Sequence, residues 1–279
     1  MGAAILAGTV VVASSAAQAS AGTAVPAEVP AEVPAGVPTG VPLGPGPVLT
    51  PGICWQQTAF PIPTQAPVLS DWTLILPVNK KGQFTGNQAA QVTPAKPIAP
   101  YLSQQADGSL ALYAPSVGAT TTNSLHPRTE LVRRQGFRLV PGTENTMTAT
   151  LAVTQVPKDT HKIIVGQLHA AKGPFVTLRY SDGRINVISA DGSDCTLLTG
   201  VALGQKFSYQ ITQKGYELLY EASTTVNGQT VTRAVATMIP TAFRNDTGQF
   251  SAGDYEQATV HVAGSGGRVT FYDLETASR

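Results

Sequence analysis

Charge is scarce in this chain of 279 residues: Asp, Glu, Lys and Arg make up 13% of it, against about 25% in an average globular protein. That excludes a charge-rich disordered chain and a long charged coiled coil. The two signs nearly cancel, with 18 Lys and Arg against 17 Asp and Glu, a formal +1. No broad basic or acidic field marks a nucleic-acid partner, so recognition has to come from local sites. Cysteine is limited to Cys54 and Cys195, and neither a CxxC nor a cluster of histidines accompanies them. No metal centre is therefore expected. Lys and Arg are absent before Lys80, and the only acids among residues 1–51 are Glu28 and Glu32. Residues 52–279 thus hold 18 basic and 15 acidic groups, a formal +3, and their number suits one undivided all-β domain.

The head of the chain is organised differently. Residues 3–13 (AAILAGTVVVA) form an apolar run of 11 residues, too short to span a bilayer. Small residues and the triplet Ala17-Gln18-Ala19 follow. The pattern predicts a secretory signal peptide over residues 1–19, although Met1 is followed by Gly2 rather than by a basic segment. Export would make the protein secreted and extracellular, with no membrane contact after cleavage. Residues 20–51 repeat a short proline unit (AVPAEVPAEVPAGVPTGVPLGPGP). Proline at this density fixes φ and removes backbone donors, which predicts an extended spacer without a core. In an exported chain, two cysteines predict one disulfide, Cys54 to Cys195, tying the start of the domain to a loop beside Asp191-Gly192-Ser193-Asp194.

From Trp72 onward, short β-branched and aromatic runs alternate with turn residues. Strands are expected at 72–78, 110–114, 146–154, 162–170, 175–180, 185–189, 206–212, 216–222, 230–238, 259–262 and 268–274. Ser181-Asp182-Gly183, Asp191-Gly192, Asn227-Gly228 and Ser265-Gly266-Gly267 read as hairpins or loops. A helical turn is plausible only near 88–90 or 240–243. Many antiparallel strands with so few helices predict an all-β jelly-roll sandwich, one sheet of which is concave and lines a groove for a chain-like ligand.

Three constellations could carry chemistry. In Pro127-Arg128-Thr129-Glu130-Leu131-Val132-Arg133-Arg134, strand periodicity puts Arg128, Glu130, Val132 and Arg134 on one face. By spacing alone, a surface ion pair worth about 0–1 kcal/mol is the simpler reading. In Val165-Gly166-Gln167-Leu168-His169, Gln167 and His169 share a face. Such a His is either a base near neutral pH or a hydrogen-bonded core residue. In Phe250-Ser251-Ala252-Gly253-Asp254-Tyr255-Glu256-Gln257, Ser251, Gly253, Tyr255 and Gln257 share a face, and Gly253 leaves room for a ligand beside a phenol that can exchange a proton.

Taken together, TTTNSLHPRTELVR, GQLHA and FSAGDYEQ, with DWTLILPV and VTFYDLE at the ends of the domain, resemble the signatures of polysaccharide lyase family 7, the alginate lyases. The resemblance covers about residues 71–275. It implies a jelly roll whose concave sheet cleaves a uronate polymer by β-elimination. It also implies that Arg128 and Gln167 neutralise the uronate carboxylate while His169 and Tyr255 flank the ring as acid and base. Glu130 is implied to orient Arg128 and Gln257 to contact a subsite. Arg134 and Ser251 complete the expected binding set.

The chemistry accounts for these residue types. The C5 proton of a uronate is very weakly acidic until charge on its carboxylate is stabilised, which a guanidinium fork and an amide can do. No metal or organic cofactor is needed. Three departures stand out: the family's second arginine is Val132, its lysine in the third motif is Ser251, and Leu168 stands between Gln167 and His169. Less cationic character keeps another polyuronate, such as a glucuronan, in play. The expected partner is an anionic polysaccharide, and the expected state is a monomer. A glycoside hydrolase would need paired carboxylates, but Asp254 and Glu256 fall on the strand face opposite Tyr255. A non-catalytic carbohydrate-binding module would rely on aromatic platforms, and aromatics are only 6% of the chain.

Overall fold

The alternating pattern folds as two antiparallel sheets in a computed structural model, which describes residues 54–57, 59–62, 64, 66–190 and 194–279. The expected signal peptide, the proline-rich spacer and the Asp191-Gly192 turn lie outside the described residues. In chain order the strands are β1 (Trp55–Gln57), β2 (Trp72–Asn79), β3 (Ala89–Val92), β4 (Leu102–Gln104), β5 (Leu110–Pro115), β6 (Arg128–Arg133), β7 (Phe137–Arg138), β8 (Glu144–Gln155) and β9 (Lys162–Ala170). There follow β10 (Gly173–Ser181), β11 (Arg184–Ser189), β12 (Asp194–Leu198), β13 (Lys206–Lys214), β14 (Glu217–Val226), β15 (Gln229–Met238), β16 (Thr247–Glu256) and β17 (Gly266–Ser278). One sheet runs β1-β15-β14-β13-β8-β17-β5-β4, the other β12-β11-β10-β9-β16-β6-β2-β3 with β7 pairing onto β16.

The core lies between them. Leu74, Leu131, Leu168 and Leu178 of the second sheet and Leu112, Leu151, Phe207, Tyr209 and Phe271 of the first belong to one buried cluster. Each such side chain contributes roughly 1.5–3 kcal/mol on burial. Among the polar groups that enter this layer, Tyr209 Oη donates to Val165 O at 3.1 Å, and Thr129 Oγ1 to Tyr113 O at 2.6 Å. Cys54 and Cys195 form the expected disulfide, with Cα atoms 6.0 Å apart. It links the residue before β1, at the edge of one sheet, to β12, at the edge of the other. With the cysteines 141 positions apart in sequence, the loop-entropy gain is up to about 5 kcal/mol.

Two hairpin signals form as read. Asp182 and Gly183 have φ of 46° and 75°, and Asn227 and Gly228 have 51° and 77°, the doubly left-handed pair that matches strand twist. Residues 88–90 are not helical, because Ala89 and Ala90 enter β3, and the turn near 240 is a single 3-10 turn, Thr241–Phe243. Residues 259–262 do not form a strand. There the amides of Thr259 and Val260 donate to the Asp159 carboxylate, at 2.7 and 2.8 Å, which replaces ladder pairing.

Candidate active site

Strands β9, β16 and β6 are neighbours in that order, so sequence segments about 40 and 80 residues apart meet on one sheet face. Tyr255 pairs with Arg128, Gly253 with Glu130, and Ser251 with both Val132 and Gln167. A cleft of about 660 Å³ opens over this face. Its lining includes Arg128, Glu130, Val132, Arg134, Gln167, His169 and Tyr255, together with Ser124, Arg133, Lys172 and Gln249.

Alternation slips once along β9. Val165 and Gly166 both face the core: Val165 is fully buried there, and a Cβ on Gly166 would stand 2.8 Å from Tyr209 Oη. The register with β10 and with β16 shifts at this point. A bulge of this kind re-aims side chains beside active sites. It leaves Gln167 and His169 in the cleft. Gly253 has a different reason from the expected room for a ligand. A Cβ there would lie 2.6 Å from Glu130 Cα, so glycine lets β6 and β16 approach.

Glu130 is the hub. Its side chain is only 2% exposed, and one carboxylate oxygen accepts from Arg128 Nη1 at 2.8 Å while the other accepts from Gln167 Nε2. A buried carboxylate held by two donors is a rigid anchor rather than a liability. Arg128 Nη2 donates to Ser124 Oγ at 3.1 Å, and its guanidinium carbon lies 3.5 Å from the centre of the Tyr255 ring. Its Nε is buried and has no hydrogen-bond partner in the protein. Ser124 Oγ is 3.0 Å from Tyr255 Oη. His169 Nε2 is 2.9 Å from Ser251 Oγ.

Burial pushes the His169 imidazole below its usual range; Glu130 opposes the shift and Arg128 adds to it. The ring is therefore neutral near pH 7 and able to accept a proton. His126, packed edge-on to Tyr255 with ring centres 6.2 Å apart, is also lowered by burial. Asp254 and Glu256 turn away from the cleft and are fully buried. Asp254 Oδ2 accepts from Ala114 N of the other sheet at 2.9 Å, and burial raises its carboxyl well above the usual range. Burial pushes Glu256 up to about 7.

The structure thus brings Arg128, Glu130, Gln167, His169 and Tyr255 together, with Arg134 at the end of the same cleft. Two expected binding residues do not reach it. Ser251 is completely buried, because its hydroxyl is turned onto His169. Gln257 follows the end of β16, and its amide donates to Glu256 O at 2.9 Å. Arg133 pairs with Asp71 at 2.8 Å and still borders the cleft, as does Lys172. With Arg128 and Arg134 they give the cleft four cations, more than Val132 and Ser251 suggest. Ser124 was legible only as part of TTTNSLHPRTELVR, since a loop residue has no periodicity to give it a direction.

A family model described as alginate lyase matches residues 68–278. Among solved structures, the chain is similar to an alginate lyase from Pseudomonas aeruginosa, at 27% identity and a TM-score of 0.62, over 76% of this chain and 100% of that one. The fold is shared with an alginate lyase from Klebsiella pneumoniae (21% identity, TM-score 0.65, 78% and 98% covered). It is shared as well with one from Corynebacterium sp. (18% identity, TM-score 0.62, 78% and 98% covered). None of the curated proteins searched matches it.

Proposed function

The chain belongs to the alginate lyase family, and from that premise we propose that this polysaccharide lyase cleaves alginate by β-elimination in the cleft over β6, β9 and β16. The observation that carries the reading is the joining of Arg128 and Gln167 through one buried carboxylate, Glu130, on the same face as His169 and Tyr255. The Arg128 guanidinium and the second amide hydrogen of Gln167 take the uronate carboxylate and stabilise the charge that builds on it. His169 or Tyr255 removes the C5 proton. The C5–H electron pair forms the C4=C5 double bond, the C4–O bond breaks, and Tyr255 returns a proton to the departing O4. One proton is lost and one gained, so the step balances without a metal or an organic cofactor. Arg133, Arg134 and Lys172 hold neighbouring carboxylates along the polymer.

Secretion belongs to the same proposal: a polymer too large to enter a cell is met outside it, and the segment at residues 1–19 supplies the export signal. The test is incubation with alginate, glucuronan and hyaluronan while ultraviolet absorbance of the unsaturated uronate is followed. A rise on alginate, larger than on the other two, is expected. A rise on glucuronan alone would reassign the polymer, and binding without any rise would remove the lyase reading.

A further inference from the structure

The Ser124 hydroxyl touches both the Arg128 guanidinium and the Tyr255 phenol, and counting its hydrogen bonds gives it a direction. A hydroxyl has one proton and two lone pairs. Arg128 Nη2 donates to Ser124 Oγ at 3.1 Å, and the backbone N–H of His126 donates to it at 3.3 Å. Both lone pairs are then taken. Two acceptors lie 3.0 Å from Oγ, His126 O and Tyr255 Oη. If the hydroxyl gave its proton to His126 O, Tyr255 would have to be a third donor to an oxygen with no lone pair left. If it gives its proton to Tyr255 Oη, the contacts with Arg128, His126 N and Tyr255 are all hydrogen bonds it can make, and only the contact with His126 O, two residues along the chain, goes without a proton.

We infer that Ser124 is a positioning residue for Tyr255, whose hydroxyl donates to the phenol oxygen and so turns the phenol's own proton toward the cleft. The inference rests on the reading of Tyr255 as an acid-base group and adds how that group is aimed. The donated bond serves both halves of the cycle. While Tyr255 carries its proton, the bond leaves that proton pointing at the departing O4. If Tyr255 gives the proton up, the same bond and the Arg128 guanidinium, 3.5 Å from the ring centre, stabilise the charge that forms. Arg128 is held on its other side by Glu130. Ser124 therefore makes one unit of carboxylate, guanidinium and phenol, and aims it from a loop rather than from the sheet.

The experiment is steady-state kinetics on alginate for Ser124→Ala, Ser124→Cys and Ser124→Thr beside the wild type and Tyr255→Phe. Loss of one hydrogen bond to a group that becomes charged corresponds to roughly 10- to 100-fold in rate. Ser124→Ala is expected to lose that much in kcat with KM changed less than about threefold, since the hydroxyl acts on the reacting group more than on the bound polymer. Ser124→Cys, which fills the same space with a poor donor, is expected to stay slow, so a folding defect in the alanine variant does not decide the matter. Ser124→Thr restores the hydroxyl and is expected to recover most of kcat. Wild-type kcat in the alanine and cysteine variants, a loss confined to KM, or no recovery in the threonine variant would each overturn the inference. Wild-type turnover in Tyr255→Phe would instead remove the reading of Tyr255 itself, whatever the Ser124 variants do.

Discussion

The two faces of β16 and β6 hold buried carboxylates in opposite states. On the cleft face, both oxygens of Glu130 are taken by donors, Arg128 Nη1 and Gln167 Nε2. On the core face, Asp254 has one oxygen bonded to Ala114 N and the other unpartnered. Glu256 likewise has one oxygen bonded to Ala258 N and one free. Burial costs an ionised acid several kcal/mol unless donors offset it. Glu130 has the donors, so its charge can orient a guanidinium. The core pair lacks them, and burial raises both carboxyls. Adjacent positions on one strand are thereby divided into groups that line the cleft and groups that serve the sandwich.

The largest effect should come from undoing the paired side. Arg128→Ala leaves Glu130 buried without its cation, which costs about 3–5 kcal/mol of stability. It also removes the proposed carboxylate clamp, so kcat/KM on alginate should fall by at least about 1,000-fold. Arg128→Lys keeps the charge and loses the fork; thermal melts and kinetics of the two variants separate the structural loss from the catalytic one. Next in size is Gly253→Ala. Its Cβ meets the backbone at Glu130, so β6 and β16 must part, and the melting temperature and activity should fall together, by roughly 1–3 kcal/mol in stability.

Ser251→Ala sharpens the contrast from a third residue. The serine is buried and bonded to His169, so its loss should reduce kcat by roughly tenfold and leave KM near its wild-type value. A KM effect alone would return Ser251 to the polymer. On the core face, Glu256 sets a pH dependence whose sign is fixed. Its carboxyl rises from 4.5 to about 7 on folding, so the folded chain binds the proton more readily than the unfolded one. The contribution of Glu256 to stability is then fully present below about pH 4.5 and is lost as pH rises through 7, by about 3 kcal/mol at most. In a series of melts across that window, Glu256→Gln should flatten the decline.

Much of this division was legible in the sequence, and the failures have physical causes. The period-2 rule placed Arg128 and Glu130 on one face and Asp254 and Glu256 on the opposite face of Tyr255, because β6 and the end of β16 are regular. It could not show that Ser251 turns onto His169, since a short hydroxyl bonds whichever neighbour pairing supplies. Nor could it anticipate the slip at Val165-Gly166, which depends on the register of two flanking strands. Gln257 was misplaced for a simpler reason: β16 ends at Glu256, and strand parity ends with the strand. Ser124 and Lys172 sit in connections, where only the folded chain says which way a side chain points.

The most direct measurement compares Tyr255→Phe with Asp254→Asn, adjacent positions on opposite faces of β16, using equilibrium binding of alginate oligosaccharides and ultraviolet detection of unsaturated product on the same preparations. The division of faces predicts that Tyr255→Phe binds like the wild type and yields no measurable unsaturated uronate. It predicts that Asp254→Asn binds and turns over within about threefold of the wild type. Turnover by Tyr255→Phe, or its loss in a folded Asp254→Asn, would contradict the account.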